Sequence, residues 1–152
     1  AMARICFGAE RQFEPTENIS ALTHRLDRTD QAIAMAAMFL ATQLPVRAII
    51  ALTESGTTAQ WLSRYRSSVP IYALTPSAEA RRRMLLLRDV RPIPFAGHDT
   101  YPALVVFQRG DLKEGDRVLL THGDHTGRGG GTNTLKLLSV GADGIAESLK
   151  DL

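Results

Sequence analysis

The chain reads as an α/β protein, a three-layer α/β/α domain built on a mainly parallel sheet of about five strands with an antiparallel hairpin at one edge. Three observations predict it. Short apolar, β-branched runs alternate with helical patterns from Ala48 to Gln108, as βαβ units do. The run Ala48–Leu52 passes through Thr53-Glu54-Ser55-Gly56-Thr57-Thr58 directly into an amphipathic helix. The closing pair Arg117–Thr121 and Thr134–Val140 is joined by a stretch too short for a crossover helix, so it must return antiparallel.

Met2 to Phe13 has helical composition, but nothing caps its start, so the pattern looks cut from something longer. Pro15 and Thr16-Glu17-Asn18 suggest a turn into a short helix over Ile19 to Leu26. Asp27-Arg28-Thr29-Asp30 offers N-caps for a helix from Gln31 to Leu44, which is apolar on nearly every side over Ala32 to Ala41. That pattern predicts burial between layers, and Pro45 stops the helix. Ala48 to Leu52 is then a buried strand, and Thr58 to Arg66 a helix with Trp61, Leu62 and Tyr65 on its inner face. Ile71 to Leu74 is a second strand, and Thr75-Pro76-Ser77 caps a helix through Leu87. Val90 to Pro94 is a short strand that its prolines confine to an edge. Tyr101-Pro102 opens a helix to Gln108, Gly115-Asp116 turns into strand Arg117–Thr121, and Thr134–Val140 is the last strand before a polar tail after Gly141.

At 152 residues, with 44% hydrophobic and 22% charged residues, the composition is that of an ordinary globular domain. Net charge is only +2, and the single basic run, Arg81-Arg82-Arg83, lies in a helical pattern without interleaved aromatics. A solvated face explains it better than a nucleic-acid footprint. The lone Cys6 excludes an intramolecular disulfide and suits a reducing, cytoplasmic setting, and its neighbours Ile5 and Phe7 predict that it is buried. The apolar stretch Ala32–Ala41 is too short to span a bilayer and no signal-peptide pattern opens the chain, so a soluble protein without a membrane partner is expected.

The turn Thr53–Thr58 carries most of the functional information. A strand, a small hydroxyl-rich turn and a helix start cradle an anion, because free N–H groups point outward and the helix dipole adds partial positive charge. Ser55, Thr57 and Thr58 add donors, and Gly56 lets backbone approach the ligand. The second stretch, Gly123 to Thr134, contains Gly127-Arg128-Gly129-Gly130-Gly131-Thr132; it lacks a P-loop lysine but can form an anion-binding nest. A flexible hairpin loop is the plainer reading of it. Topology favours the ligand, since both stretches follow the C-terminal ends of strands and should share the rim where open α/β sheets bind ligands. Arg109 is a third candidate donor, or simply a surface arginine at a helix C-terminus.

No catalytic constellation emerges. His24, His98, His122 and His125 fall in no metal-ligand spacing, and Ser55-Gly56 is not a nucleophile elbow. Capping and surface roles explain Asp27, Asp30 and Glu54 better than a carboxylate pair does.

Asp30-Gln31-Ala32-Ile33-Ala34, Arg47 to Ala59, Ser63-Arg64-Tyr65-Arg66, Val69 to Pro76, Lys113-Glu114-Gly115-Asp116 and Gly131-Thr132-Asn133-Thr134-Leu135-Lys136 together resemble the C-terminal domain of pyruvate kinase. The similarity runs from about Met2 to Val140. It implies that residues 1–26 continue from a catalytic barrel absent here, which would hold Mg2+ and K+, and that residues 27–152 form the α/β domain. The parent enzyme would transfer phosphate from phosphoenolpyruvate to ADP, and this piece alone would be inactive and need no cofactor. By the same resemblance the domain binds a phosphorylated allosteric effector, commonly fructose 1,6-bisphosphate. One phosphate would sit on Thr53, Ser55, Gly56, Thr57 and Thr58 and the other partly on Arg109, with Gly127, Arg128, Gly129, Gly130, Gly131 and Thr132 closing over the sugar.

Glu54 departs from this pattern, because bisphosphate-responsive animal enzymes carry Lys there and an unresponsive form carries Glu. A carboxylate about 4 Å from a phosphate costs on the order of 4 kcal/mol at an effective dielectric of 20. A monophosphate effector, AMP or a sugar monophosphate, therefore stays open. The family pairs this domain with its copy in a tetramer, which makes Leu135–Val140 an interface edge or an ordinary edge strand. A stand-alone phosphate-ligand sensor and a purely structural domain are the competing readings.

Overall fold

The computed structural model describes residues 2–12, 25–65, 67–96, 101–123 and 131–148. Helix α1 (Met2–Gln12) comes first, then α2 (Thr29–Gln43), β1 (Val46–Leu52), α3 (Thr57–Arg64), β2 (Ile71–Thr75) and α4 (Ala78–Met84). β3 (Val90–Pro94), α5 (Pro102–Gln108), β4 (Arg117–His122), β5 (Thr134–Val140) and β6 (Ala146–Ser148) complete the order. The turn and short helix expected over Pro15 and Ile19 to Leu26 lie largely outside the described residues.

Among the described residues six strands form one sheet in the order β3-β2-β1-β4-β5-β6. β1 to β4 are parallel to one another, with Ile49 opposite Ile71 on one side and Leu119 on the other. β5 runs antiparallel to β4, pairing Leu119 with Leu137, as the short connection required. The alternation of each strand sends its side chains to two cores. Ile49, Ala51, Ile71 and Leu119 meet Ala34, Met38, Leu62 and Met84 from α2, α3 and α4. Ile50, Tyr72, Leu74, Ile93 and Val118 meet Ala103 and Val106 of α5. These are the three layers expected.

Four details differ from the sequence expectation. First, the stretch read as a polar tail contains β6, which pairs with β5 over Leu138–Val140. A tight turn makes this possible: Gly141 N–H donates to the Ile145 carbonyl at 2.8 Å, and Asp143 Oδ1 accepts the Ile145 N–H at 2.9 Å. Gly144 sits there at φ +79°, where a Cβ would lie 2.5 Å from the Phe107 ring. β5 is therefore open on its outer side only from Thr134 to Leu137.

Second, α2 is covered on one side only: Ala34, Ala37, Met38 and Ala41 are buried, but Ala32, Ala36 and Phe39 are exposed. An all-round apolar sequence does not say which side has a neighbour. Third, Cys6 is exposed along with Ile5 and Phe7, because α1 turns its apolar residues to solvent. Fourth, α2 starts two residues earlier than expected, at Thr29, with Arg28 in the cap position but accepting no backbone N–H with its side chain.

Asp30 thus lies inside the helix and is only 1% exposed. Its carboxylate is held by Arg28, Nε to Oδ1 at 3.0 Å and Nη2 to Oδ2 at 2.7 Å, and Oδ1 also accepts the Gln31 N–H at 2.9 Å. A buried carboxylate survives only with such partners, and its place in the first turn suits the helix dipole. The bonds from Arg28 hold the Asp30 carboxyl below its ordinary range. An unfolded aspartate titrates near about pH 3.9, so the stabilisation is complete above that pH and is lost as pH falls through the lower folded value. Urea denaturation from about pH 6 down to pH 2 should show Asp30→Asn flattening the acid limb of the stability curve.

Candidate functional site

The turn after β1 is built by its own hydroxyls. Thr53 Oγ1 accepts the Gly56 N–H at 2.9 Å, folding the chain back on itself, while the Thr53 N–H stays bound to the Leu74 carbonyl of β2 at 3.0 Å. Gly56 adopts φ +85°, and a Cβ there would lie 3.0 Å from Met84 Cγ and 3.2 Å from its sulfur, so both conformation and space require glycine. The ladder of α3 begins with Gln60 N–H to the Gly56 carbonyl at 3.0 Å, and the Thr57 N–H meets Ser55 Oγ at 3.4 Å, so the first helical N–H groups after it stand at the open end of the helix. Ser55 Oγ and Thr57 Oγ1 lie 2.8 Å apart on the exposed lip of this turn.

Thr58, buried in the first turn of α3, shares a 2.7 Å hydrogen bond between hydroxyls with Thr132, also buried. This bond ties the turn after β1 to the segment that leads into β5. Nearby, Gly123 and Gly131 approach so closely that a Cβ on Gly123 would lie 2.3 Å from the Gly131 carbonyl oxygen. Thr53, Ser55, Gly56, Thr57, Thr58 and Thr132 are thus brought together at the C-terminal rim of the sheet, with Gly131 beside them. Gly127, Arg128, Gly129 and Gly130 lie outside the described residues, as do His24, His98 and His125.

Arg109 is not part of this cluster. α5 returns the chain from the C-terminal rim to the start of β4, so its last residues stand at the opposite rim. There Arg109 Nε pairs with Asp111 at 3.7 Å, and Asp111 pairs with Arg91 at the start of β3 at 3.6 Å. A strand of about five to seven residues separates the rims by roughly 15–20 Å, too far for one sugar bisphosphate phosphate to be shared across the sheet.

A cation that sequence reasoning had assigned to a solvated face does reach the turn. Arg83 Nη2 donates to the Ser55 carbonyl at 3.4 Å, and its other nitrogen pairs with Glu79 at 3.3 Å. The signal was present in the Glu79/Arg83 spacing on α4, but only the packing of Met84 under Gly56 shows that α4 lies against this turn. Glu54 is exposed, and its carbonyl accepts the Thr75 hydroxyl at 3.2 Å, which fixes the backbone while leaving the carboxylate toward solvent. Among the described residues no three His, Cys, Asp or Glu side chains group as metal ligands would. Chemically, the arrangement can hold an anion.

Comparison with known proteins identifies the family of the domain. The family profile described as "Pyruvate kinase, alpha/beta domain" matches residues 31–138. Pyruvate kinase of Buchnera aphidicola subsp. Acyrthosiphon pisum is 40% identical over 150 residues, covering 91% of this chain and 30% of that protein. Pyruvate kinase II of Salmonella typhimurium is 40% identical over 153 residues, covering 92% and 31%. Pyruvate kinase of Staphylococcus aureus is 34% identical over 143 residues, covering 80% and 24%. The chain spans about a third of the length of the curated relatives it matches best among these.

Thr58→Val leaves the buried Thr132 hydroxyl without its partner and should cost about 1–3 kcal/mol in urea denaturation. The double variant Thr58→Val/Thr132→Val should recover part of that loss, because no orphaned hydroxyl remains.

Proposed function

This chain belongs to the pyruvate kinase family as its alpha/beta domain, and from that premise we propose that it is a regulatory module whose Thr53–Thr58 turn seats the phosphate of an allosteric effector. The Thr58–Thr132 bond carries the reading. It ties the turn after β1 to Thr132, next to β5, beside one helix N-terminus, where a phosphate is favoured. Ser55, Thr57 and the N–H groups at the start of α3 supply donors, and Arg83 supplies nearby positive charge that Glu54 otherwise offsets.

The effector is a monophosphate, AMP or a sugar monophosphate, rather than fructose 1,6-bisphosphate. Two features support this: Arg109 stands at the other rim, and Glu54 places a carboxylate on the lip of the seat. On this reading, phosphoryl transfer from phosphoenolpyruvate to ADP, with its Mg2+ and K+, is the work of a barrel domain outside these residues. The protein works in the cytoplasm as a homo-oligomer. Phe39, 47% exposed on the uncovered side of α2, and the open stretch Thr134–Leu137 of β5 supply apolar and backbone surface for contact with a second copy. No helix among the described residues is long and apolar enough to cross a membrane.

Calorimetric titration with ribose 5-phosphate, AMP and fructose 1,6-bisphosphate should give saturable binding of a monophosphate and no tighter binding of the bisphosphate. Ser55→Asp, which puts a carboxylate into the seat, should weaken that binding at least about tenfold. Unchanged affinity in Ser55→Asp, or no saturable binding of any of the three, would overturn the assignment.

A further inference from the structure

The opposite rim of the sheet holds a cleft of about 560 Å³ that the effector seat does not use. Its walls come from the beginnings of three parallel strands: Arg47 of β1, Pro70 and Tyr72 at β2, and Val90 and Arg91 of β3, with Ser68, Asp89 and Asp111 completing the lining. The volume is within the range of small-molecule sites.

Two guanidinium groups, Arg47 and Arg91, and two carboxylates, Asp89 and Asp111, line the cleft. Asp89 is paired outside the lining with Arg88 at 3.7 Å, and Asp111 is shared between Arg91 at 3.6 Å and Arg109 at 3.7 Å. Arg47 has no carboxylate within ion-pair distance among the described residues, and Arg91 has only its share of Asp111. With Arg88 and Arg109, which hold those carboxylates from beside the lining, four guanidinium groups stand against two carboxylates around the cleft. Arg91 is also held in place, since its Nη1 donates to the Tyr72 hydroxyl at 2.9 Å and the guanidinium lies 5.5 Å from the centre of the Tyr72 ring.

Tyr72 indicates what the space is shaped to accept. The residue is 2% exposed, and its ring packs in the core beneath α5. Its oxygen accepts from Arg91, so its own O–H is left to donate elsewhere, and Tyr72 lines the cleft. Burial raises the hydroxyl's pKa above its ordinary value, so the proton is retained. A buried phenol donor with its acceptor role already filled needs a hydrogen-bond acceptor from the cleft. Asp89 holds φ +61° on this wall, a conformation uncommon outside glycine, while its carbonyl accepts the Ile71 N–H at 2.9 Å and fixes the entrance to β2.

We propose that this cleft is a second anion site, which binds a small dianion of the carboxylate or phosphate class between Arg47 and Arg91 with the Tyr72 hydroxyl donating to it. Guanidinium groups pair both anion types in bidentate fashion, and the shared chemistry is that of a doubly charged oxyanion. The site is independent of the effector seat, because it lies across the sheet from Ser55.

The test titrates the chain with inorganic phosphate and, separately, with succinate at constant ionic strength, following both heat and amide chemical shifts. Saturable binding of one anion, with shifts at Arg47, Tyr72 and Arg91, is expected, and the tighter of the two identifies the source. Arg47→Gln and the volume-conserving Tyr72→Phe should each weaken it at least fivefold, while Ser55→Asp leaves it unchanged. Absence of saturable binding by either anion, or affinities unaltered in both cleft variants, would overturn the proposal. So would loss of binding in Ser55→Asp, which would place the anion at the effector seat instead.

Discussion

β1 is hydrogen-bonded along both edges and covered on both faces, and each other part of the fold takes its position from that strand. Ala48, Ile49, Ile50 and Ala51 are all buried, which is possible only where neighbouring strands satisfy every backbone group and helices remove both faces from water. The strand cannot slip without exchanging its two cores, because Ile49 and Ala51 face α2 and α3 while Ala48 and Ile50 face α5. Fixing β1 fixes where its last residue emerges, and hence where Thr53 turns the chain. The same constraint fixes where Arg47 enters. One buried strand thus sets the position of both the Thr53 turn and the Arg47 end of the cleft.

The two ends differ in how they handle charge. At the C-terminal rim, donors come mainly from backbone and hydroxyls, arranged in a turn that only glycine can close, with Arg83 approaching from α4. At the N-terminal rim, guanidinium groups dominate and are oriented by Tyr72 and Asp111. Neutral donors at a helix start bind through geometry and a modest dipole, and are less sensitive to salt than exposed guanidinium groups. The family profile, which matches residues 31–138, covers both rims.

Much of this was legible in the chain itself. β1, β2, the start of α4 and the start of α5 follow from β-branched runs, a Ser77 cap whose hydroxyl accepts the Ala80 N–H at 3.1 Å, and a proline at the first position of α5. The hydroxyl-rich turn was legible for the same local reason. β6 was not, because three residues carry no period, and its existence depends on a turn packed against Phe107. The exposure of Cys6 and Phe39 was not, since an apolar helix face records no information about which neighbour is present. Arg109 is a different case. The direction of a crossover helix is dictated by the parallel strands it joins, so its position at the far rim was implicit in the topology already inferred. The cleft around Tyr72 was out of reach, because its charged walls are contributed by segments far apart in the chain and meet only through register.

The hydroxyl bond between Thr58 and Thr132 joins residues 74 positions apart, and this has a consequence for the order in which the molecule is made. The turn after β1 closes through bonds spanning three or four residues, Thr53 to Gly56 and Gly56 to Gln60, and can form as soon as α3 is present. Thr132 arrives only after β4 has found β1 and β5 has paired with β4, steps that close long loops and are slow for that reason. Half of the seat is therefore a local structure and half is a product of complete folding. During synthesis from the N-terminus, a chain that has emerged only as far as β3 carries the turn but not its partner, so a completed seat reports that the whole sheet has assembled.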